Sequence, residues 1–270
     1  MRIKRIGLVG CGAMGTEIAQ AIVGEFSGVA RICALYDIDS AKAHALSRKL
    51  KKSNLAAKSL QDLIKKSDFI VEAASSSVSA DIARKAISRG RDCLIMSVGG
   101  LLADSDIFAL AGKKGCSLHI PSGAICGIDG LKAHALARIK KVTLTTTKPA
   151  QALKDSPYVA RNKINLSAIK KATEIFSGSA KEAVSYFPQN INVAATLSLA
   201  GIGGEKTRVR MVCAPGGENI HEIEIESEAG RTFVRCENEP SPDNPKTSYL
   251  AILSAIAALK RIFEPVKIGT

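Results

Sequence analysis

Three glycines near the amino terminus have the spacing that a phosphate-binding turn requires. Gly10, Gly12 and Gly15 form the pattern G-x-G-x-x-G immediately after the mostly apolar run 6–9. In this pattern the first glycine permits a sharp turn, the second lets backbone approach a pyrophosphate, and the third lets a helix pack closely on a strand. The N–H groups and the positive dipole end of that helix attract the same anion. We therefore predict that a dinucleotide contacts Gly10, Gly12, Ala13, Met14 and Gly15.

An acidic residue supplies the second part of this prediction. An apolar run over residues 32–36 ends at Asp37, about twenty residues beyond the turn, where dinucleotide-binding units place a carboxylate. A carboxylate there accepts hydrogen bonds from both ribose hydroxyls of NAD and repels the 2′-phosphate of NADP. A purely structural glycine turn is the alternative. The position of Asp37 favours a cofactor site for NAD, with NADP as the second candidate.

The elements that would position this site alternate between strands and helices up to Pro121. Further strands are predicted at 68–72, 92–96 and 116–120, and Ser40 is the expected N-cap of a helix over 40–51. Small residues at 73–77 suit a loop that passes beneath a cofactor, with Ala74 in contact with it. This alternation indicates a Rossmann-type doubly wound parallel sheet of the α/β class, which binds ligands at the carboxyl ends of its strands.

After Pro121 the pattern changes to that of an α+β domain. Residues 150–186 are polar and favour helix, and 239–245 form a rigid, proline-rich loop. Segments in which apolar and polar residues alternate predict an antiparallel sheet with strands at 142–147, 207–213, 220–226 and 231–236.

The domain boundaries follow from a last apolar helix, predicted at 247–262, which we expect to return to the first domain. The nucleotide-binding domain is then residues 1–121, completed by 241–270. An inserted domain over 122–240 would carry substrate binding, catalysis and dimerisation.

His221 lies in one of the predicted strands. Alternation places it with Ile223 and Ile225 on an apolar face and puts three glutamates on the other face, where Arg208 and Arg210 are expected to pair with them. One interpretation is a core histidine that is satisfied by a hydrogen bond. The other is a neutral imidazole that moves a proton beside the nicotinamide.

Two further polar residues admit a structural and a functional interpretation. Asn190 precedes an apolar helix and is either its N-cap or an amide that touches the cofactor. Lys148 ends a strand and is either a solvated charge or a group that binds a substrate carboxylate. Cys11, inside the glycine turn, is interpreted as a small space-filling residue, because no histidine is paired with it.

The composition of the chain indicates which partners and which type of thiol to expect. The formal net charge is +13, which suggests nucleic acid as a partner, but aromatic residues are only 4% and the basic residues are scattered. We therefore expect a field that attracts anionic cofactor and substrate, and no binding to nucleic acid. Seven cysteines without a C-x-x-C pattern indicate reduced, buried thiols in a cytoplasmic protein, and no metal site or membrane span is expected.

Several segments beyond the glycine turn resemble the L-aspartate dehydrogenase family, and they run in the family's order nearly from end to end. The last three of these segments are far more specific than G-x-G-x-x-G. They are Val71–Ser75, Met96–Gly99, Pro121–Ala124 with Gly127–Gly130, Thr145–Pro149, Phe187–Ala194 and Ser241–Ser248.

The resemblance implies an NAD(P)-dependent amino-acid dehydrogenase that oxidises L-aspartate to iminosuccinate, which hydrolyses to oxaloacetate and ammonium. It implies that His221 is catalytic and that Ala124 and Asn190 contact the cofactor. Lys148 is the nominee for binding substrate carboxylates. Thr147 departs from the family pattern, in which a basic residue is more common. The family also implies a link to quinolinate synthase and NAD biosynthesis. An exposed antiparallel sheet in the second domain is the expected surface for a homodimer.

Two other classes remain open at this stage. One is a related two-domain reductase, such as dihydrodipicolinate reductase or homoserine dehydrogenase. The other is a non-catalytic NAD(H) sensor, which would bind NADH and turn over no amino acid.

Overall fold

The computed structural model describes residues 3–104, 106–188, 191–217, 219–242 and 244–269. The chain divides into two compact units, Met1–Pro121 with Ile252–Ile268, and Ser122–Ala251 with Gly269–Thr270. Residues 241–251, which the sequence analysis assigned to the first domain, therefore group with the second unit.

The first unit contains a five-stranded sheet in which every pair of neighbouring strands is parallel. Its strands are β1 (Lys4–Val9), β2 (Ala30–Tyr36), β3 (Phe69–Glu72), β4 (Asp92–Ile95) and β5 (Leu118–His119). The spatial order β2-β1-β3-β4-β5 confirms the predicted Rossmann-type sheet. The carboxyl ends of β1, β2 and β3 therefore meet at one edge of the sheet.

Helices connect these strands. They are α1 (Ala13–Gly24), α2 (Ser40–Lys49), α3 (Leu60–Lys66), α4 (Ser76–Ser88), α5 (Gly99–Leu102) and α6 (Asp106–Lys114). Ile18 and Ile22 of α1 join Ile6 and Leu8 of β1 in the main apolar core. This packing fixes the start of α1 against the end of β1.

The N-cap of α2 differs from the prediction. Asp39 occupies the cap position, and its side chain accepts a hydrogen bond from the N–H of Ala41 at 3.1 Å. Ser40 is the first residue of the helix. A carboxylate caps a helix as well as a hydroxyl does, and Asp39 stands one residue earlier in the chain.

The second unit contains a mixed five-stranded sheet. Its strands are β6 (Ile139–Pro149), β7 (Thr173–Ser179), β8 (Arg208–Ala214), β9 (Ile220–Ser227) and β10 (Gly230–Glu237), in the order β10-β9-β6-β8-β7. β6 and β8 are parallel, whereas the other pairs are antiparallel. The predicted antiparallel sheet is therefore present, except at the pair β6/β8, where a long crossover connects two strands of the same direction.

Two segments of the second unit contain strands that were not predicted. The segment 150–186, predicted as polar and helical, contains the edge strand β7. The loop predicted at 239–245 is part of a two-stranded ribbon of β11 (Pro240–Ser241) and β12 (Asn244–Ser248).

Helices complete the second unit's core. They are α7 (Ile128–His134), α8 (Ala150–Leu153), α9 (Pro157–Arg161), α10 (Ala180–Tyr186) and α11 (Asn192–Ala200), with a short 3-10 turn at Leu166–Ala168. Ala194 and Leu197 of α11 share an apolar cluster with Leu144 of β6, Met211 of β8 and Ile223 of β9.

The last helix, α12 (Tyr249–Phe263), contributes to the core of the first unit. The Phe263 ring lies 5.8 Å from the Phe26 ring and 6.1 Å from the Phe69 ring, both edge-on. The apolar character of this helix is thus explained by aromatic and aliphatic packing against the parallel sheet.

The exposed face of the second sheet carries ion pairs that differ from those predicted. Glu224 pairs with Lys141 and Arg231, and Glu222 pairs with Arg235. Arg210 instead pairs with Glu174, at 2.5 Å. The predicted pairing of Arg208 and Arg210 with the glutamates of β9 is wrong because β6 lies between β8 and β9.

Neither a membrane span nor a metal cluster is found in the part of the chain that the structure describes. Its helices are too short or too polar to cross a bilayer. Its His, Cys, Asp and Glu side chains form no group of three or more that could hold a metal ion.

Candidate active site

The glycine turn after β1 consists of two tightly packed glycines and one open one. Gly10 has a φ of +92°, and a Cβ built on it would lie 2.4 Å from the carbonyl oxygen of Ala73. A Cβ on Gly15 would lie 1.9 Å from the carbonyl oxygen of Gly10, whereas a Cβ on Gly12 would meet no atom within 4 Å. Gly10 and Gly15 are therefore required by the fold, and Gly12 leaves open space beside the turn.

The helix that begins at this turn is suited to an anion. Gly12 is the N-cap of α1 and has no side chain to cap it, and no acidic residue stands in the first turn. Ala13 and Met14, the first two helical residues, are half-buried. Backbone N–H groups and the positive end of the helix dipole are consequently presented to a ligand at Gly12.

Asp37 is anchored to the same turn. One carboxylate oxygen accepts a hydrogen bond from the N–H of Cys11 at 2.8 Å, and the other accepts one from the N–H of Asp39 at 3.0 Å. Each oxygen retains a further lone pair, because a carboxylate offers about four acceptor positions. The open cradle at Gly12, the start of α1 and this fixed carboxylate together fit a dinucleotide.

Cys11 is a packing residue, as the sequence suggested. It is buried, and burial raises the pKa of its thiol to about 12, with a smaller contribution from the charge of Asp37. The thiolate that a nucleophile requires is therefore disfavoured.

Glu72 is a residue of this edge that the sequence analysis missed. Its fully buried carboxylate accepts hydrogen bonds from the N–H of Ala74 at 2.8 Å and the N–H of Ser97 at 2.9 Å. Burial raises the pKa of Glu72, and these donors oppose that shift. Glu72 thereby ties together the loops after β3 and β4, including predicted cofactor contact Ala74. The sequence signal for this role of Glu72 was an acidic residue at the end of an otherwise apolar strand.

His221 lies on the buried face of the second sheet, as its alternation predicted. The ring is only 2% exposed, and its Nδ1 lies 3.0 Å from the hydroxyl oxygen of Thr146, directly opposite on β6. Burial lowers the pKa of His221 to about 3, and the positive charge of Lys148 adds to this effect. The imidazole of the ligand-free protein is therefore neutral at neutral pH.

Lys148 shares that face. It follows Thr146 by two residues on β6, so the two side chains point to the same side of the sheet. Burial lowers the pKa of Lys148 to about 8. Thr146, Lys148 and His221 thus form a polar group on a face that is mostly apolar around them.

Of the remaining two predicted cofactor contacts, Ala124 is among the described residues. Ala124 is buried, and its carbonyl accepts a hydrogen bond from the side-chain amide of Asn238 at 3.0 Å. Asn238 is held in turn by the hydroxyl of Ser248, also at 3.0 Å. Asn190, the other predicted contact, lies outside the described residues.

These features define a two-domain oxidoreductase with an NAD-binding domain of the Rossmann type. Comparisons with known proteins specify it further: residues 10–121 match the family model "Homoserine dehydrogenase, NAD binding domain", and residues 129–262 match "Aspartate dehydrogenase, C-terminal". The chain belongs to the L-aspartate dehydrogenase family, which confirms the resemblance seen in the sequence. It is an NAD(P)-dependent oxidoreductase that acts on a CH–NH₂ group.

Relatives cover nearly the whole chain. The L-aspartate dehydrogenase of Methanosarcina barkeri is 46% identical over 273 residues, which are 98% of this chain and 99% of that protein. The L-aspartate dehydrogenase of Methanosarcina acetivorans is 47% identical over 272 residues, with the same coverage. The crystal structure of aspartate dehydrogenase from Thermotoga maritima has the same fold, with a TM-score of 0.74, 24% identity, and coverage of 99% of this chain and 100% of that one.

Proposed function

We propose that this chain catalyses the reversible oxidative deamination of L-aspartate. L-aspartate, NAD⁺ and water give oxaloacetate, ammonium, NADH and a proton, with iminosuccinate as the first product. The observation that carries this proposal is the identity of 46% to an L-aspartate dehydrogenase across 98% of the chain. The polar group formed by buried Thr146 and His221 with half-buried Lys148 supplies the chemistry that such a reaction needs.

His221 is the proposed base. Bound NAD⁺ supplies the acceptor for the hydride that leaves the substrate Cα. Transfer requires the substrate nitrogen to be deprotonated, and a neutral imidazole can take that proton. Because Thr146 contacts Nδ1, we assign the acceptor role to Nε2. The same nitrogen later assists water in attacking the imine.

The depressed pKa of His221 fits this role once a substrate is present. Burial and the charge of Lys148 hold that pKa at about 3 in the ligand-free protein. A dicarboxylate bound nearby brings negative charge, and nearby negative charge raises the pKa of an imidazole. Substrate binding would therefore move the base toward its working range.

Lys148 is the proposed group for a substrate carboxylate. The position next to it, Thr147, faces the opposite side of the sheet, since neighbouring residues of a strand alternate. A basic residue at position 147 would therefore lie on the face away from His221, whereas Lys148 lies on the same face as His221. A charge-assisted hydrogen bond from its ammonium would orient the substrate.

The proposed cofactor site is built around the glycine turn after β1. Gly10, Gly12, Ala13, Met14 and Gly15 would hold the pyrophosphate, and Asp37 would accept hydrogen bonds from the ribose, which favours NAD over NADP. Ala74, Ala124 and Asn190 are the further proposed contacts.

In the cell, we place the protein in the cytoplasm as a homodimer without nucleic-acid or membrane partners. Iminosuccinate is a reactive imine, and its transfer to quinolinate synthase would direct it into NAD biosynthesis rather than hydrolysis.

The test compares two histidine variants in both reaction directions, followed by the absorbance of NADH. We expect His221→Ala to lower turnover by about 10²-fold to 10⁴-fold, the usual contribution of a positioned base, while the affinity for NADH is retained. The control is His134→Ala, whose ring contacts Ser227 and Thr232; it should affect stability more than turnover. An equal loss of turnover and NADH affinity in His221→Ala would reject the assigned role.

A further inference from the structure

Two cysteines of the second unit meet without a role in the proposed reaction. The backbone N–H of Cys126 donates a hydrogen bond to the sulfur of Cys236 at 3.3 Å, across 110 residues of sequence. Cys236 is buried and Cys126 is exposed. All seven cysteines lie within the described residues, and Cys126 is the exposed one among them, contrary to the expectation that the thiols are buried.

The approach of these residues is built into the fold. Gly127 has a φ of +81°, and a Cβ on it would lie 2.8 Å from the Cγ2 atom of Val234. On the other side of Cys126, the carbonyl of Ala124 accepts a hydrogen bond from Asn238. The segment 124–127 is therefore held on both sides of Cys126, by Val234 of β10 on one side and by Asn238, which follows β10, on the other.

The geometry brings the two thiols within reach of each other. The amide nitrogen of Cys126 touches the Cys236 sulfur and is separated from its own Cβ by two covalent bonds. The Cys126 Cβ therefore lies close to that sulfur, and the two thiols interact with each other. Burial raises the pKa of Cys236, and the Cys126 thiol raises it further, against the opposing effect of the N–H donor. Cys236 consequently stays a protonated thiol until its neighbour reacts.

The pair is adjacent to residues that matter for the reaction. Cys236 stands directly opposite His221 in the antiparallel pair β9/β10, so the two side chains share one face of the sheet. Residues opposite each other in this way have Cβ atoms about 5 Å apart. Ala124, a proposed cofactor contact, is two residues before Cys126.

We propose that Cys126 and Cys236 form a reversible disulfide that lowers the enzyme's turnover. The oxidant is a hydroperoxide. The exposed Cys126 thiolate attacks its O–O bond, which gives a sulfenic acid and releases an alcohol or water. The Cys236 thiol then displaces the hydroxyl group as water, so the two thiols lose two electrons and two protons in total. A dithiol reductant reverses the change through a mixed disulfide.

The effect on turnover rests on the proposed function, whereas the disulfide itself does not. The new bond pulls segment 124–127 and the backbone opposite His221 toward each other. A displacement of about 1 Å at a catalytic group can cost roughly 10²-fold in rate, so we expect turnover to fall by between about tenfold and a hundredfold. The loss should occur without unfolding and should be restored by a dithiol.

The experiment treats the whole protein with hydrogen peroxide and measures two quantities. Mass spectrometry of peptides prepared without reduction identifies any link between the Cys126 and Cys236 peptides, and the NADH assay measures turnover before and after dithiothreitol. Cys126→Ser and Cys236→Ser should both lose the link and resist inactivation. Cys116→Ser, which changes a half-buried cysteine of the first unit, should behave as the unmodified chain.

The outcomes separate the two proposals. Absence of the linked peptide at peroxide concentrations that inactivate the enzyme would overturn the inference, as would a linked peptide with unchanged turnover. If the reduced enzyme turned over no L-aspartate, the proposed function would fail. Peptide mapping would still decide whether the disulfide forms, and the affinity for NADH would show whether it alters the site.

Discussion

The contact between Thr146 and His221 is the most specific feature of the site at the residue scale. Only 3.0 Å separates the threonine hydroxyl from Nδ1, and both side chains are almost fully buried. A histidine whose Nδ1–H donates to a fixed oxygen presents the lone pair of Nε2 outward. A threonine hydroxyl can accept this hydrogen bond or donate it, so it is compatible with the tautomer that a base acting through Nε2 requires.

Removal of that hydroxyl should slow the reaction without abolishing it. In Thr146→Val the volume is nearly kept and the hydrogen bond, worth about 1 kcal/mol, is lost. We expect turnover to fall roughly fivefold to tenfold, with Thr146→Ser restoring most of it. Steady-state kinetics provide the measurement. Thr145→Val, on the opposite face of the same strand, is the matched control, and an equal decrease there would contradict the role of Thr146.

The charge of Lys148 should appear in the pH dependence of the reaction. Because burial lowers its pKa to about 8, the ammonium is present below that pH and is lost above it. We expect kcat/KM for L-aspartate, which reports groups of the free enzyme, to decrease as the pH rises through about 8. Lys148→Arg should move this decrease to higher pH.

Removal of the Lys148 ammonium should weaken the binding of L-aspartate. A hydrogen bond to a charged group contributes about 1.5–3 kcal/mol, so Lys148→Met should raise the KM for L-aspartate roughly tenfold to a hundredfold. The alkaline decrease near pH 8 should also disappear. If the profile of Lys148→Met kept that decrease, another group would be responsible for it.

At the scale of elements, two glycines of the turn between β1 and α1 have different roles, because the fold requires Gly15 and the proposed cofactor site requires Gly12. Gly15→Ala places a Cβ 1.9 Å from the backbone oxygen of Gly10, whereas Gly12→Ala places one in open space. We expect Gly15→Ala to cost about 1–3 kcal/mol or more of stability, seen as a lower Tm. Gly12→Ala should keep its Tm and raise the KM for NAD⁺, because its methyl group occupies the path of the pyrophosphate. Equal Tm losses in the two variants would contradict this division.

Elements defined by local patterns were predictable from the sequence, whereas strand neighbours were not. The alternation of β9 correctly placed His221 on the apolar face, because a period of two is a property of one strand. The ion pairs of Arg208 and Arg210 were predicted wrongly because they depend on which strand lies beside β8. Strand order is decided by contacts across the whole chain, which one segment does not encode.

Two other differences have local causes. The edge strand β7 has Ile175 beside Phe176 instead of a clean alternation, and a register irregularity occurs there. Its sequence therefore lacks the period-two signal. Glu72 was treated as an ordinary strand residue, because its role depends on the N–H groups of Ala74 and Ser97 that the fold brings to it.

At the scale of the whole molecule, the chain leaves the first unit at Pro121 and returns to it at Ile252. The return depends on α12, whose Phe263 packs between aromatic rings of the first unit's core. The second unit is in this sense an insertion, and its sheet presents one apolar, covered face and one exposed face. That exposed face gives the proposed homodimer a definite candidate surface.

The composition of the exposed face is self-complementary. Phe233, 60% exposed, stands in β10 between Arg231 and Arg235, and these arginines pair with Glu224 and Glu222 of β9. A twofold interface requires one patch to match a second copy of itself. Alternating charges of both signs around an exposed aromatic ring satisfy that requirement, since each arginine can exchange its glutamate for the equivalent glutamate of the other copy.

We therefore expect Phe233→Asp to weaken the dimer. An aromatic anchor at an interface contributes about 2 kcal/mol or more, so the dimer dissociation constant should rise by roughly thirtyfold or more, measured as molar mass by light scattering over a dilution series. The control is Leu136→Asp, which changes an apolar side chain that is 94% exposed outside the sheet; its dimer should be unaffected. If both variants kept the same mass at every concentration, the dimer would have to use another surface, because a buried carboxylate facing its own copy across a twofold axis is repelled.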